Sequence, residues 1–275
     1  MSSTLKIKNA LAARGVDVKE VETIKNGVKC QGFQIQSDEK VRPVVYYSPD
    51  QTIEAFVEKV IEIANRPTPK LDVDNLITRE NLLNNSFLCL QKQGTEEIVK
   101  KKYLNLELYV RLAITDFSFS DSQASTKVTS QMLEMTGVSE EELFEAARKN
   151  SLFMAQITSL AEALGLSEDF VGEAPFYVGT YSDKCHGATV LALPEVIHSF
   201  CQEKGFEQLY ILPSSTEEVL LIPDMTGNPA MLAQMVNEVN TSEVDPVMQF
   251  DPVVYLYDDA TETVSIAASF YERGC

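Results

Sequence analysis

The sequence predicts an α+β protein, with antiparallel sheets built from hairpins and helices packed on one face. Three observations lead there. Asn26-Gly27 sits between two strand-like runs, and a type I′ turn needs positive φ at both central residues, which this pair supplies. Ile53, Phe56, Val57, Val60, Ile61 and Ala64 fall at helical spacing and form one apolar stripe. From residue 176 onward the chain reads strand, strand, helix, twice over, and ends strand, strand. That order favours antiparallel sheet over a doubly wound parallel one.

Taken in order, residues 4–14 read as a short helix with Ile7 and Leu11 on one face. Residues 18–25 and 28–36 make the hairpin around Asn26-Gly27. Residues 41–47 form a further strand, at an edge or starting after Pro43, since proline cannot donate to a ladder. The helix over 49–64 has Ser48 as its expected cap, Pro49 at its first position and Gln51 completing a capping box. Arg66-Pro67-Thr68-Pro69 stops it and marks a boundary.

Residues 71–83 read as weakly patterned helix, and 86–93 and 106–114 as strands. Between them Lys100-Lys101-Lys102, beside Glu96 and Glu97, reads as a solvated charged face. Residues 116–125, rich in Ser and Asp, read as a loop. Ser139 with Glu142 opens a helix to about Lys149. A second helix follows over 152–164, with Phe153, Ile157, Leu160 and Leu164 on one face, and Gly165 ends it.

In the last third, 176–181 and 188–193 read as a hairpin, and 194–204 as a helix closed by Gly205. Residues 208–212 and 218–222 make a second hairpin, 230–239 a second helix, and 253–257 with 263–267 a third hairpin. The segments 1–70, 71–170 and 171–275 are three expected units, or parts of one globular domain.

Charge is distributed unevenly. Residues 1–70 carry 11 basic and 9 acidic side chains, 71–170 carry 9 and 16, and 171–275 carry 3 and 16, so the net charge of −18 is concentrated at the C-terminal end. Such a segment repels phosphate backbones, which argues against nucleic-acid binding and leaves either solubility or a basic protein partner. No window approaches 18 apolar residues, so no membrane span is expected. The five cysteines are odd in number and contain no Cys-x-x-Cys pair, which suits a reducing, cytoplasmic address.

No Gly-x-Gly-x-x-Gly, Walker-type, His-Glu-x-x-His or Gly-x-Ser-x-Gly motif occurs, so neither cofactor nor enzyme class is assigned. Cys185, His186, His198 and Cys201 supply the ligand types zinc takes. The paired-cysteine knuckle is missing, however, and Cys201 continues the apolar arc of Val196, Ile197 and Phe200, so no metal is assigned. The segment 209–223 sets two apolar strands around a cluster of hydroxyls and carboxylates. It reads as a buried hairpin with a polar turn, or as a pocket rim with Ser214, Ser215 and Glu218 as binding residues.

This segment, together with Asn237-Glu238-Val239-Asn240, Val254-Tyr255-Leu256-Tyr257-Asp258, Ile24 to Gly32, Phe87-Leu88-Cys89-Leu90 and Glu141 to Ala147, resembles an uncharacterised domain-of-unknown-function family of Gram-positive anaerobic bacteria. In that family a histidine commonly precedes the glutamate matching Glu218, where this chain has Glu217. The resemblance brings no activity and no catalytic residue. Its spread over chromosomes and mobile elements implies an accessory role.

The leading expectation is a non-enzymatic intracellular binding or regulatory protein acting through the acidic C-terminal surface. The alternatives are a small-molecule hydrolase using carboxylates near Ser214, and an acidic nucleic-acid mimic. Against the mimic, the longest acidic run is Glu140 to Glu142, too dispersed for the regular charge spacing of a duplex.

Overall fold

A computed structural model describes residues 2–37, 42–48, 50–66, 73–114, 124–166, 176–213, 215–223 and 228–271. The chain divides into two compact units, one comprising Met1–Leu76 with Thr115–Ser122, the other Ile77–Ile114 with Gln123–Cys275.

The first unit contains α1 (Ser3–Ala12), β1 (Val18–Lys25), β2 (Val28–Ile35), β3 (Val44–Tyr46), α2 (Ile53–Ala64) and α3 (Val73–Leu76). Its sheet runs β1-β2-β3, all antiparallel. Asn26 and Gly27 both take positive φ, 48° and 79°, as the hairpin requires. β3 lies at the edge and begins after Pro43. Ile7 and Leu11 of α1 join Phe56, Val57 and Val60 of α2 against Val18, Phe33, Ile35 and Val45 of the sheet. The stripe on α2 thus faces the core. Its cap is Thr52, whose Oγ1 accepts from the N–H of Ala55 at 3.2 Å, and not Ser48. Ser48 instead closes a preceding turn, its carbonyl accepting from Gln51. Pro49 and residues 67–69 lie outside the described residues.

In the second unit come α4 (Arg79–Asn85), β4 (Ser86–Lys92), β5 (Lys100–Tyr103), β6 (Leu106–Ile114), β7 (Ala124–Lys127), α5 (Ser130–Thr136) and α6 (Glu140–Met154). β6 pairs with β4 along one edge. Its other edge is shared, Leu106 to Tyr109 by β5 and Arg111 to Ile114 by β7. The lysine run is therefore a strand. Alternation sends Lys100 to the same face as Tyr109, where it pairs with Glu107 at 3.0 Å, and sets Lys101 over the ring of Phe144. Of the loop expected over 116–125, residues 116–123 lie outside the described residues, and Ala124 and Ser125 begin β7.

The remaining elements are β8 (Ala155–Ser159), α7 (Leu160–Leu164), β9 (Tyr177–Tyr181), a 3-10 helix (Gly187–Ala192), α8 (Pro194–Lys204), β10 (Gln208–Leu212), β11 (Val219–Pro223), α9 (Pro229–Glu243), β12 (Val253–Asp258) and β13 (Thr263–Ser269). They build a six-stranded sheet in the order β13-β12-β10-β11-β9-β8, every neighbour antiparallel. Leu209, Ile211, Val219, Leu221, Tyr255 and Tyr257 pack under the 3-10 helix and α8. Tyr210, Leu212 and Val254 point the other way, under α9. The α+β class holds, as do the hairpins β10–β11 and β12–β13, and within this sheet the helices divide between the two faces, α8 on one and α9 on the other.

Two expected elements differ. The helix expected over 152–164 is the end of α6, then β8, then α7. Ala155–Ser159 pairs with Tyr181–Tyr177, and Ser159 caps α7 through the N–H of Glu162. The strand expected over 188–193 is the 3-10 helix. It is buried on every side, so its apolar run carries no period that separates strand from helix.

The free edge of β4 is closed by side chains. The N–H of Leu88 donates to Ser151 Oγ at 2.8 Å, and its carbonyl accepts from the Tyr181 phenol at 2.9 Å and from Thr189 Oγ1 at 3.3 Å. An unpaired buried edge would be costly, and three hydroxyls remove that cost.

Candidate functional site

The turn between β10 and β11 is held from three sides. Pro213 is buried, and Leu212 pairs with Leu220 below it. Ser215 bridges to Gln249, and the N–H of Thr216 donates to the Met248 carbonyl at 2.9 Å. On the opposite side the N–H of Ala188 donates to the Thr216 carbonyl at 3.3 Å. The carbonyl of Glu217 accepts from the N–H of Gly187 at 3.0 Å and from Thr180 Oγ1 at 3.1 Å.

Among the described residues, the side chains of Ser215, Thr216 and Glu217 bond within the turn and to the neighbouring His186. Ser215 Oγ accepts from the N–H of Glu217 at 3.2 Å. Thr216 Oγ1 donates to Glu217 Oε1 at 2.9 Å, and Glu217 Oε2 accepts from the N–H of His186 at 3.3 Å. Of the residues singled out in the sequence, Ser215 is half-buried in this network, Glu218 is exposed, and Ser214 lies outside the described residues. Gly187, His186 and Thr180 are the partners of this turn that the sequence did not indicate. The arrangement is a junction that locks β9, the 3-10 helix and the hairpin together.

His186 stands in the left-handed region, φ 57°, with its ring 6.1 Å from that of Phe87. Burial pushes its pKa down to about 4, and the cations of Arg111 and Lys127 push it the same way. Those cations have anchors of their own. Arg111 Nε donates to Ser125 Oγ at 2.8 Å, and Lys127 bonds Gln91 Oε1 at 3.0 Å and pairs with Glu96. Cys89, on the same face, is fully buried, and burial drives its thiol pKa upward, which makes it unreactive.

A second polar group lies where α8 meets the end of β12. His198, Cys201 and Gln202 share one face of α8 by their i, i+3, i+4 spacing. Asp259 Oδ1 is 2.9 Å from His198 Nδ1, and Asp259 Oδ2 accepts from Gln202 Nε2 at 2.7 Å. The Tyr257 phenol donates to Oδ1 at 3.3 Å. Asp258 accepts from Gln208 Nε2 at 2.8 Å and from the N–H and hydroxyl of Thr261 at 3.0 Å each. The Gln208 bond leads in holding its carboxyl below the usual range. An open cleft of about 650 Å³ runs past Gln202, Glu207, Gln208, Asp258 and Asp259. Cys201 is buried, with its thiol pushed up to about 12 by burial first and by Asp259 second. The site orients an imidazole and fixes carboxylates, and it offers no activated thiol.

The four candidate zinc ligands have separate surroundings, Cys185 and His186 beside Asp183 and Glu217, His198 and Cys201 beside Asp259. Among the described residues no three His, Cys, Asp or Glu side chains converge to hold a metal ion. Among the same residues no helix is long and apolar enough to cross a membrane.

A comparison with curated proteins finds no match, and neither does a comparison with solved structures. Residues 4–259, nearly the whole chain, match the Family of unknown function (DUF5688), and the chain belongs to that family.

Proposed function

We propose that the chain is an intracellular binding protein that recognises a basic protein partner through its acidic C-terminal segment. One observation carries this. Between Lys204 and Arg273 the sequence has twelve acidic side chains and no Lys, Arg or His. Several of these carboxylates are held by neutral donors: Asp258 by Gln208 and Thr261, Glu238 by Gln234, Glu217 by Thr216. Neutral donors orient a carboxylate without cancelling its charge, so the segment keeps a negative field that can steer a cationic partner. The intracellular placement rests on the unpaired cysteines Cys30, Cys89, Cys185 and Cys201.

The test is affinity capture from a native-type lysate with the wild-type chain and with a variant carrying Glu238→Gln, Glu243→Gln, Asp245→Asn and Glu262→Gln. Capture of a basic protein by the wild type, lost in the neutralised variant, is the expected result. Equal capture by both would reject the reading.

A second reading, hydrolysis of a small molecule, has one observation in its favour: the imidazole of His198 is bonded to Asp259, whose carboxylate lines an open cleft. With Cys201 buried and protonated, water would have to be the nucleophile and His198 its base. Turnover that depends on His198 and survives charge neutralisation over 238–262 would favour this reading over the first.

A further inference from the structure

α9 has two unlike sides. Ala233 and Val236 face the six-stranded sheet and pack with Tyr210, Leu212 and Val254, and the buried Asn240 donates to the Phe250 carbonyl at 3.0 Å. The side away from the sheet is not uniformly polar. Met231, Met235 and Val239 are 66%, 38% and 39% exposed. Their i, i+4, i+8 spacing lines them up as one stripe along the helix. Scattered apolar residues on a surface need no explanation, but an aligned stripe marks an interaction surface. Methionine suits such a surface because its unbranched, polarizable side chain adapts to the shape it meets.

Charge identifies the occupant. α9 carries no basic residue. Glu238 lies beside the stripe, its Oε1 bonded to Gln234 Nε2 at 3.0 Å, and Glu243 continues the line one turn past Val239. Asp245 follows the helix and is exposed. A second copy docked stripe to stripe would bring these carboxylates against their own counterparts. An anionic lipid surface would repel them too. A helix with an apolar face flanked by lysine or arginine complements both features at once, the apolar face on the methionines and the cations on the carboxylates. We infer that the outer face of α9 is the docking surface for a basic amphipathic helix of a partner protein. The inference rests on the proposed acidic-segment recognition and gives it a location and a partner shape.

The test uses the full chain with isotope-labelled methionine methyls and three synthetic peptides. One is helical, with leucine at i, i+3, i+4 and i+7 and lysine elsewhere. The second is its scrambled isomer, and the third has glutamate in place of lysine. The amphipathic basic peptide is expected to bind about tenfold or more tighter than the scramble, a difference of about 1.4 kcal/mol. The acidic peptide is expected not to bind, and the Met231 and Met235 methyl signals are expected to move. Met231→Ser with Met235→Ser should bring the amphipathic peptide down to the scramble's affinity with no change in melting temperature. Salt-sensitive binding that is equal for both basic peptides and unaffected by the double substitution, or methyl signals that stay in place, would overturn the α9 assignment while leaving acidic-segment recognition standing. Failure of every basic peptide to bind would overturn both. Self-association of the wild type that the double substitution abolishes, or equally sensitive binding to phosphatidylserine vesicles, would replace the partner helix by a second copy or a membrane.

Discussion

The main-chain N–H of Gly187 donates to the carbonyl oxygen of Glu217 across 3.0 Å, tying the start of the 3-10 helix to the turn between β10 and β11. The approach needs glycine. A Cβ at position 187 would lie 2.3 Å from Thr180 Cα and 2.6 Å from the Glu217 oxygen, both backbone atoms. Gly187→Ala should therefore destabilise the protein by at least about 2 kcal/mol through forced backbone displacement. Urea unfolding with an unchanged midpoint would show that the junction has slack.

The pH dependence follows from His186. Its imidazole is held neutral, with a pKa of about 4 against an ordinary 6.5, by burial and by Arg111 and Lys127. A depressed folded-state pKa means that the unfolded chain binds more protons between those two values. The contribution is thus complete above about pH 6.5 and is lost as pH falls toward about 4. His186→Asn removes the titration and suits the left-handed backbone, φ 57°. The variant should match wild type at neutral pH and be more stable by about 1–2 kcal/mol near pH 5. Parallel stability curves for the two proteins over that range would contradict this.

The two adjacent glutamates should behave differently. Glu217 accepts from Thr216 and from the His186 N–H, while Glu218 is exposed. Glu217→Ala should cost about 1–3 kcal/mol by stranding those donors, and Glu218→Ala should stay within about 0.5 kcal/mol. Thermal unfolding of the pair side by side checks it, and equal effects would mean the turn is not held as described.

In the first unit Val60 is fully buried beside Phe56 and Val57. Val60→Asp sets an unpaired carboxylate there and should cost about 3–5 kcal/mol. A melting temperature within a degree or so of wild type would place the stripe at solvent.

What was legible in the sequence was local. The α2 stripe, the Asn26-Gly27 turn and the β10–β11 hairpin each carry their whole signal within a few residues. β8 was not legible because Ala155–Ser159 follows α6 without a breaker and becomes a strand only by pairing with Tyr177–Tyr181. The lysines of β5 hid a strand for the same reason, since their partner is β6. At the β10–β11 turn the position could be read, but its partners could not: Glu217 meets Gly187 and Thr180 across 30 and 37 residues. His198 and Gln202 could be placed on one helical face from their spacing. Nothing local pointed to Asp259, 61 residues beyond His198.

Recognition of a basic partner is tested most directly by the salt dependence of its affinity. The dissociation constant for the captured basic protein, or for the basic amphipathic peptide, is measured from about 50 mM to about 500 mM salt with the wild-type chain and with the variant neutralised at Glu238, Glu243, Asp245 and Glu262. Screening shortens the reach of exposed charges from more than about 10 Å to a few ångströms over that range. Wild-type affinity should fall steeply, and the neutralised variant should start weaker and show a shallower slope. An affinity that stays flat with salt, or identical slopes for the two proteins, would contradict recognition through the acidic segment.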